Sequence, residues 1–254
     1  MPHTPPNRPH PESTACHTGG MQIRTLDELV IENSTTWDEF SSLLTKNSAD
    51  QVLEPEPSQA FDTLLRLQVT TRSMLGAIAL NTGAILADHG WFRLLGSGYA
   101  PDLPSIADAN AMGAPTPEST PPGHLVIGFD VLGGQFAIDG GALGINPGDV
   151  CYFAPDSLEW EGLGGGYSAF VQAAVSGGLN EAFQVLRWEG WQADIVDLPL
   201  GMSLASYPPP FAAEGRDLSQ TAKNPVPTTE LLDFYASAAA QLNQPAQPSK
   251  PTER

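Results

Sequence analysis

Basic residues are scarce in this chain of 254 residues: 11 Lys and Arg stand against 29 Asp and Glu, a formal net charge of −18. A field of that sign repels phosphate backbones, which argues against nucleic acid as a partner. Cysteine is nearly absent. Cys16 stands among prolines and histidines and Cys151 in the apolar "DVCYF". No disulfide framework is expected, and Cys151 reads as a small buried hydrophobe. No apolar run approaches the roughly 20 residues of a membrane span. The N-terminus lacks the apolar stretch of a signal peptide. The expectation is therefore a cytoplasmic protein with no membrane partner.

Catalytic signatures are missing too. No Gly-Lys pair occurs, so there is no P-loop, and no dinucleotide fingerprint opens a helix. In "GGQFAIDGGALG" (Gly133–Gly144) the next periodic segment is a strand, which offers no helix N-terminus to a phosphate. No HExxH or CxxC is present, and Ser97 in "GSG" is not a nucleophile elbow. No cofactor, no metal and no catalytic residue is expected, and the chain leans away from being an enzyme.

What is there begins with enough apolar residue, 41%, to bury a core. Residues 1–20 hold five prolines and three of the five histidines without apolar periodicity, and read as a disordered tail. "MQIRTLDEL" from Met21 reads like a natural start. Thr25 with Glu28, and Thr36 with Glu39, have capping-box spacing. Trp37, Phe40, Leu43 and Leu44 then share a helical face. "EPEP" breaks the chain and Ser58 starts another helix. "SMLGAIALNTG" reads as a short helix closed by Gly83 or as a strand with a turn, the helix being the preferred reading. "AILADHGWFRLLGSG" reads as strand, turn, strand with Gly90 at the turn.

Residues 100–123 hold six prolines and read as a long loop within the domain. "HLVIGFDVLGGQFAID" gives two strands. Leu125, Ile127, Phe129 and Val131 alternate on the first, and Gly133–Gly134 makes a two-residue primed turn with φ > 0 at both glycines. "GDVCYFAP" is a third strand. "GYSAFVQAAVSGG", "NEAFQVLRWEGW" and "PTTELLDFYASAAAQLN" read as helices, and residues 243–254 as a second tail.

Two groups of residues carry what functional signal there is. "DHGW" sets Asp88, His89 and Trp91 at a turn. "DSLEWEG" sets Glu159, Trp160 and Glu161 together, a tryptophan between two carboxylates. Most tryptophans are core, yet Trp is also enriched at interface hot spots. Trp160 is the best candidate for an exposed anchor on an acidic surface. The acidic excess itself reads as solubility or as attraction for a basic protein partner. The alternative is a small-molecule binder or an enzyme, in which Asp88, His89, Arg93 and Glu159 converge in a pocket. Separately, "APDSLEWEGLGGG" offers Asp156, Glu159 and Glu161, and carboxylate pairs can do acid–base work, although a solvated acidic turn is the plainer reading.

"LQVTTRSMLGAIALNTGAILADHGWFRLLGSG", followed by "GGQFAIDGGALGINPGDVCYFAPDSLEWEGLGGGYSAF", resembles the bacterial family called domain of unknown function 2625, over roughly Met21 to Leu242. That resemblance implies no activity. More remotely, "HLVIGFDVLGGQFAID" with "GDV" and "GYSAFVQAAVSG" is similar to the SUKH superfamily of cell-wall-synthesis regulators and toxin-immunity proteins. This likeness implies an α+β fold: N-terminal helices, a Gly-containing segment like "LNTGA", a central antiparallel sheet, then a helix. It also implies a non-enzymatic role in binding a partner protein such as a toxin. The proline-rich loop and the long C-terminal region depart from the pattern. The sequence thus predicts one α+β domain over 21–242, its sheet flanked by N-terminal and C-terminal helices packed on one side.

Overall fold

Local capping chemistry starts each N-terminal helix. In the computed structural model, which describes residues 22–44 and 48–242, α1 (Leu26–Leu29) is a single turn. The Thr25 N–H and hydroxyl both donate to Glu28 Oε2, at 2.8 and 3.0 Å. In α2 (Thr36–Leu44) the cap lies one residue earlier than the spacing suggests. The Thr35 hydroxyl meets Glu39 Oε1 at 2.7 Å, while Thr36 donates to the Arg72 carbonyl and ties the helix to a later loop. The two expected tails, 1–20 and 243–254, and with them Cys16 and Met21, lie outside the described residues.

After β1 (Gln51–Leu53), α3 (Pro57–Leu67) also begins one residue before the expected Ser58. Proline loses nothing in the first turn, where its missing N–H would have no partner, and the Glu56 carboxylate caps Gln59 N–H at 2.9 Å. Ser73 caps α4 (Met74–Asn81) through Gly76 N–H. The hairpin β2 (Ala84–Ala87) and β3 (Phe92–Leu95) follows as expected. The loop after it contains one helical turn, α5 (Ile106–Ala109). Then come β4 (His124–Asp130), β5 (Gln135–Asp139), β6 (Asp149–Phe153) and β7 (Trp160–Gly166).

Strands β1 to β7 form one antiparallel sheet whose spatial order is the sequence order. Helix α6 (Tyr167–Ser176) ends on Gly177 in the left-handed region, and α7 (Trp191–Ile195) is short. A separate ribbon, β8 (Met202–Tyr207) with β9 (Ala222–Pro227), leads into α8 (Thr228–Leu242). The class is α+β, as predicted. No helix among the described residues is long and apolar enough to cross a membrane.

Both faces of the sheet are covered, not one. Phe92, Leu94, Phe136, Val150 and Tyr152 pack on one face with Phe40 of α2, Ile78 of α4 and Phe170 of α6. Leu95, Val126, Phe129 and Ala137 pack on the other with Leu67 of α3 and Ile106 of α5. Strand alternation sends Phe92 and Leu94 one way and Arg93 and Leu95 the other. Each buried phenylalanine contributes about 2–3 kcal/mol. The predicted alternation along β4 fails at a bulge between Val126 and Gly128, which puts Ile127 and Phe129 on opposite faces.

The β4–β5 turn also departs from expectation. It spans four residues, 131–134, and only Gly133 has positive φ (+81°). Gly134 is needed for a different reason: a Cβ there would lie 2.3 Å from both Asp130 Oδ2 and the Tyr152 hydroxyl. Helix α8 closes over this turn, so that a Cβ on Gly133 would meet Leu231 at 2.9 Å.

Candidate functional site

The β2–β3 turn is built from three successive left-handed residues, Asp88, His89 and Gly90, at φ of 51°, 60° and 84°. For Asp88 and His89 this conformation is unfavourable by about 1 kcal/mol or more each, so neighbouring groups must hold it. The Asp88 N–H donates to Asp50 Oδ1 at 3.0 Å and the His89 N–H to the Ala49 carbonyl at 2.7 Å. The Asp88 carboxylate forms an ion pair with Arg187, and both side chains are largely buried. The Arg187 guanidinium lies 4.6 Å from the Trp191 ring centre and 5.1 Å from that of Trp91. Burial pulls its pKa down, against the opposing pull of Asp88.

Trp91 is fully buried, with Trp188 and Trp191 at centroid distances of 5.9 and 5.1 Å. Asp88 and Trp91 are therefore internal fasteners of the turn, and of the three only His89 is exposed, its ring edge-on to Trp191. The second predicted group sits elsewhere. Glu159 and Glu161 are exposed, at the start of β7. Trp160 is not the protruding anchor that its neighbours suggested. It is half-buried, packed on Phe153 and His124 at 5.5 and 5.6 Å.

Four strand spacings separate β3 from β7, about 19 Å. Glu159 thus does not converge with Asp88, His89 and Arg93. No group of three or more His, Cys, Asp or Glu among the described residues is arranged to hold a metal ion.

Strand β7 was not expected, because four glycines in "WEGLGGG" leave no alternation to read. It is the terminal strand of the sheet, so one row of its backbone N–H and C=O groups points outward. No lysine or arginine occurs between Arg93 and Arg187, a stretch with ten Asp and Glu that includes β4 to β7. Strands β4 to β7 therefore carry carboxylates and no cation of their own, although Arg216 shares a pocket with Asp156 before β7.

Two buried aspartates escaped the reading of the sequence. Asp130 is fully buried at the end of β4. Its Oδ1 accepts the N–H groups of Leu132 and Gly134 at 2.8 and 2.9 Å, and its Oδ2 the Tyr152 hydroxyl at 2.5 Å. Burial raises its pKa in spite of those bonds. Asp139, at the end of β5, accepts N–H groups from Gly141 (2.6 Å), Leu143 (3.2 Å) and Ile145 (3.2 Å). Burial acts to raise its pKa, but those bonds together with one from Asn146 outweigh it and hold the carboxyl below its usual range.

Asp139 also disposes of the phosphate-loop question. The amides of the glycine loop already face a carboxylate of the same chain. The available signal was local: an Asp placed just before a Gly-containing turn, as in "DVLGG" and "DGGALG", is a side-chain-organised turn. Cys151 is buried, as expected. Burial, with the nearby Asp139 and Asp149, pushes its thiol pKa up, which disfavours the reactive thiolate.

Comparison with known proteins agrees with the first of the two resemblances. The chain is 35% identical over 187 residues to the "Putative uncharacterized protein YbfG" of Escherichia coli (strain K12), covering 73% of this chain and 85% of that one. It is 31% identical over 177 residues to an "Uncharacterized protein" of Haemophilus influenzae (strain ATCC 51907 / DSM 11121 / KW20 / Rd), covering 69% and 78%. No solved structure matches it. The family described as "Protein of unknown function DUF2625" matches residues 26–231, and the chain belongs to that family.

Proposed function

We propose that the protein is a non-enzymatic binding module that takes up an extended, basic segment of a partner protein along β7. The observation that carries this reading is the outer edge of β7 beside the exposed Glu159 and Glu161. Sheet edges in soluble proteins are usually blunted by lysine, proline or a covering element, because an open edge pairs with any free strand. β7 contains neither lysine nor proline, and its bulge lies at the glycine-rich end, between the Gly162 and Gly166 pairings, away from Glu159 and Glu161. An added strand would gain main-chain hydrogen bonds there, and its cationic side chains would meet Glu159 and Glu161. On the opposite face of the strand, the half-buried Trp160, and Ile145 standing over Gly162, supply apolar footing for the alternate side chains. The remote likeness to SUKH immunity proteins points the same way, towards a partner such as a basic toxin. The chain over 21–242 would act as one domain in this role.

Calorimetry with a β-prone Lys/Val-alternating peptide tests the reading. Binding is expected to weaken with salt, and to be lost when alternate peptide amides are N-methylated. The double charge reversal Glu159→Lys/Glu161→Lys should weaken it about tenfold. These side chains are exposed, so the fold should be indifferent to the change. Equal binding of the N-methylated peptide, or no response to the charge reversal, overturns the proposal.

A further inference from the structure

A cleft of about 720 Å³ opens on the sheet face opposite Phe92, at the end remote from β7. Its floor is a single cross-strand row. Gln51 is in register with Leu86, and Leu86 with Arg93. The turn at His89 and Gly90 bounds one side and residues 192–200 another. The volume lies within the range of small-molecule sites.

Arg93 is the unusual member. It is 97% buried, at 3% exposure, yet no carboxylate among the described residues pairs with it. Its Nη1 donates to the Leu200 and Met202 carbonyls, at 2.6 and 2.5 Å, and its Nε has no partner. Asp130 acts on it through space, without a hydrogen bond. Burial draws its pKa down to about 10, so it remains a cation at neutral pH. A buried cation held by carbonyls alone is costly, and an incoming anion would offset that cost. Leu53, Leu86, Leu198 and Leu200 give one part of the wall a hydrocarbon surface, while Ser48, Asp50, Gln51 and Gln192 make the rest polar.

We infer that this cleft binds a small organic monocarboxylate, its carboxylate on Arg93 and its hydrocarbon body against Leu53, Leu86 and Leu198. A planar carboxylate matches the guanidinium fork. A dianionic phosphate fits less well, because Asp50 also lines the cleft and the whole chain carries a net charge of −18. The site is independent of the β7 reading and lies at the other margin of the sheet.

The full chain titrated with octanoate and with 1-octanol, followed by calorimetry and by the His89 ring resonances, decides the matter. Octanoate should bind about tenfold more tightly than the alcohol. Arg93→Met should remove that preference. Because Arg93→Met also drops two carbonyl contacts and could unfold the chain, Val196→Glu is the second variant. Val196 is 71% exposed at the rim of the cleft, so its substitution should spare the fold. It should weaken octanoate about tenfold and leave 1-octanol unchanged, since a second negative charge repels only the anion. Equal affinity for the two probes, no binding of either, or an octanoate affinity indifferent to Val196→Glu overturns the inference.

Discussion

Asp88 and Arg187, 99 residues apart in the chain, meet as a buried ion pair under the β2–β3 turn. The pair joins a strained turn to the segment that carries Trp188 and Trp191. Removing one partner leaves the other charged and poorly solvated, which typically costs about 3 kcal/mol or more. Arg187→Met should therefore lower stability by about that amount in urea denaturation. Asp88→Asn should cost less, because Asn tolerates the left-handed backbone at this position (φ of 51°) and keeps a hydrogen-bond acceptor. In the double variant Asp88→Asn/Arg187→Met the costs should not add. Additive costs in that cycle would show that the two residues act separately.

Gly134 and Gly90 provide a paired test of why a glycine is needed. A Cβ on Gly134 would collide with Asp130 and the Tyr152 hydroxyl, which are buried and bonded to each other. Neither can move without breaking that bond. Gly134→Ala should cost about 3 kcal/mol, as overpacking does. A Cβ on Gly90 meets nothing within 4 Å, so only its φ of 84° opposes substitution. Gly90→Ala should cost about 1 kcal/mol. Thermal unfolding of the two variants should rank them in that order.

How much of this was legible depends on how local the cause is. Where a helix was legible its ends were local, as with the Thr25–Glu28 spacing at α1 and the glycine after α6, since a cap acts within a few residues. The helix expected over "NEAFQVLRWEGW", by contrast, is only a 3-10 turn at Gln184–Leu186 ahead of α7. "DHGW" was legible as a turn. Its Arg187 partner was not, because nothing in the sequence fixes a contact made 99 residues away. The bulge at Ile127 is equally non-local, and it defeats the alternation that the residues themselves suggest. Strands β7 and β9 were missed because their composition argues against strands: four glycines in one, Pro225 and Pro227 in the other. Both lie at sheet edges, where such residues are tolerated.

Asp139 holds the loop at 141–145 through three backbone N–H groups. Asp139→Ala should leave those amides without an acceptor. Hydrogen exchange at Gly141, Leu143 and Ile145 should then accelerate, while exchange in β2 and β3 stays as in the parent. The pH dependence has a definite sign. The folded pKa lies below the usual aspartate value, so the stabilisation is present above that value and is lost as pH falls through the folded one. Exchange at these three amides should therefore quicken on acidification in the parent protein, beyond the intrinsic trend, and not in Asp139→Ala.

Asp130 has the opposite sign. Its folded pKa is raised by burial, so the folded state binds the proton more firmly than the unfolded chain does. That contribution is fully present below the usual aspartate pKa of about 3.9 and is lost as pH rises through the folded value. The groups that act on it are the neutral Tyr152 hydroxyl, which donates to it, and the Arg93 and Arg187 cations; all favour the carboxylate without outweighing burial. Asparagine can keep the local bonds: its oxygen accepts from Leu132 and Gly134, and its amide donates to the Tyr152 oxygen. Asp130→Asn should therefore match the parent at about pH 4 and be the more stable of the two at pH 7. Urea denaturation at both pH values measures this. A variant less stable than the parent at pH 7, and equal to it at pH 4, would show that Asp130 stabilises the fold as a carboxylate, with Arg93 rather than burial in control.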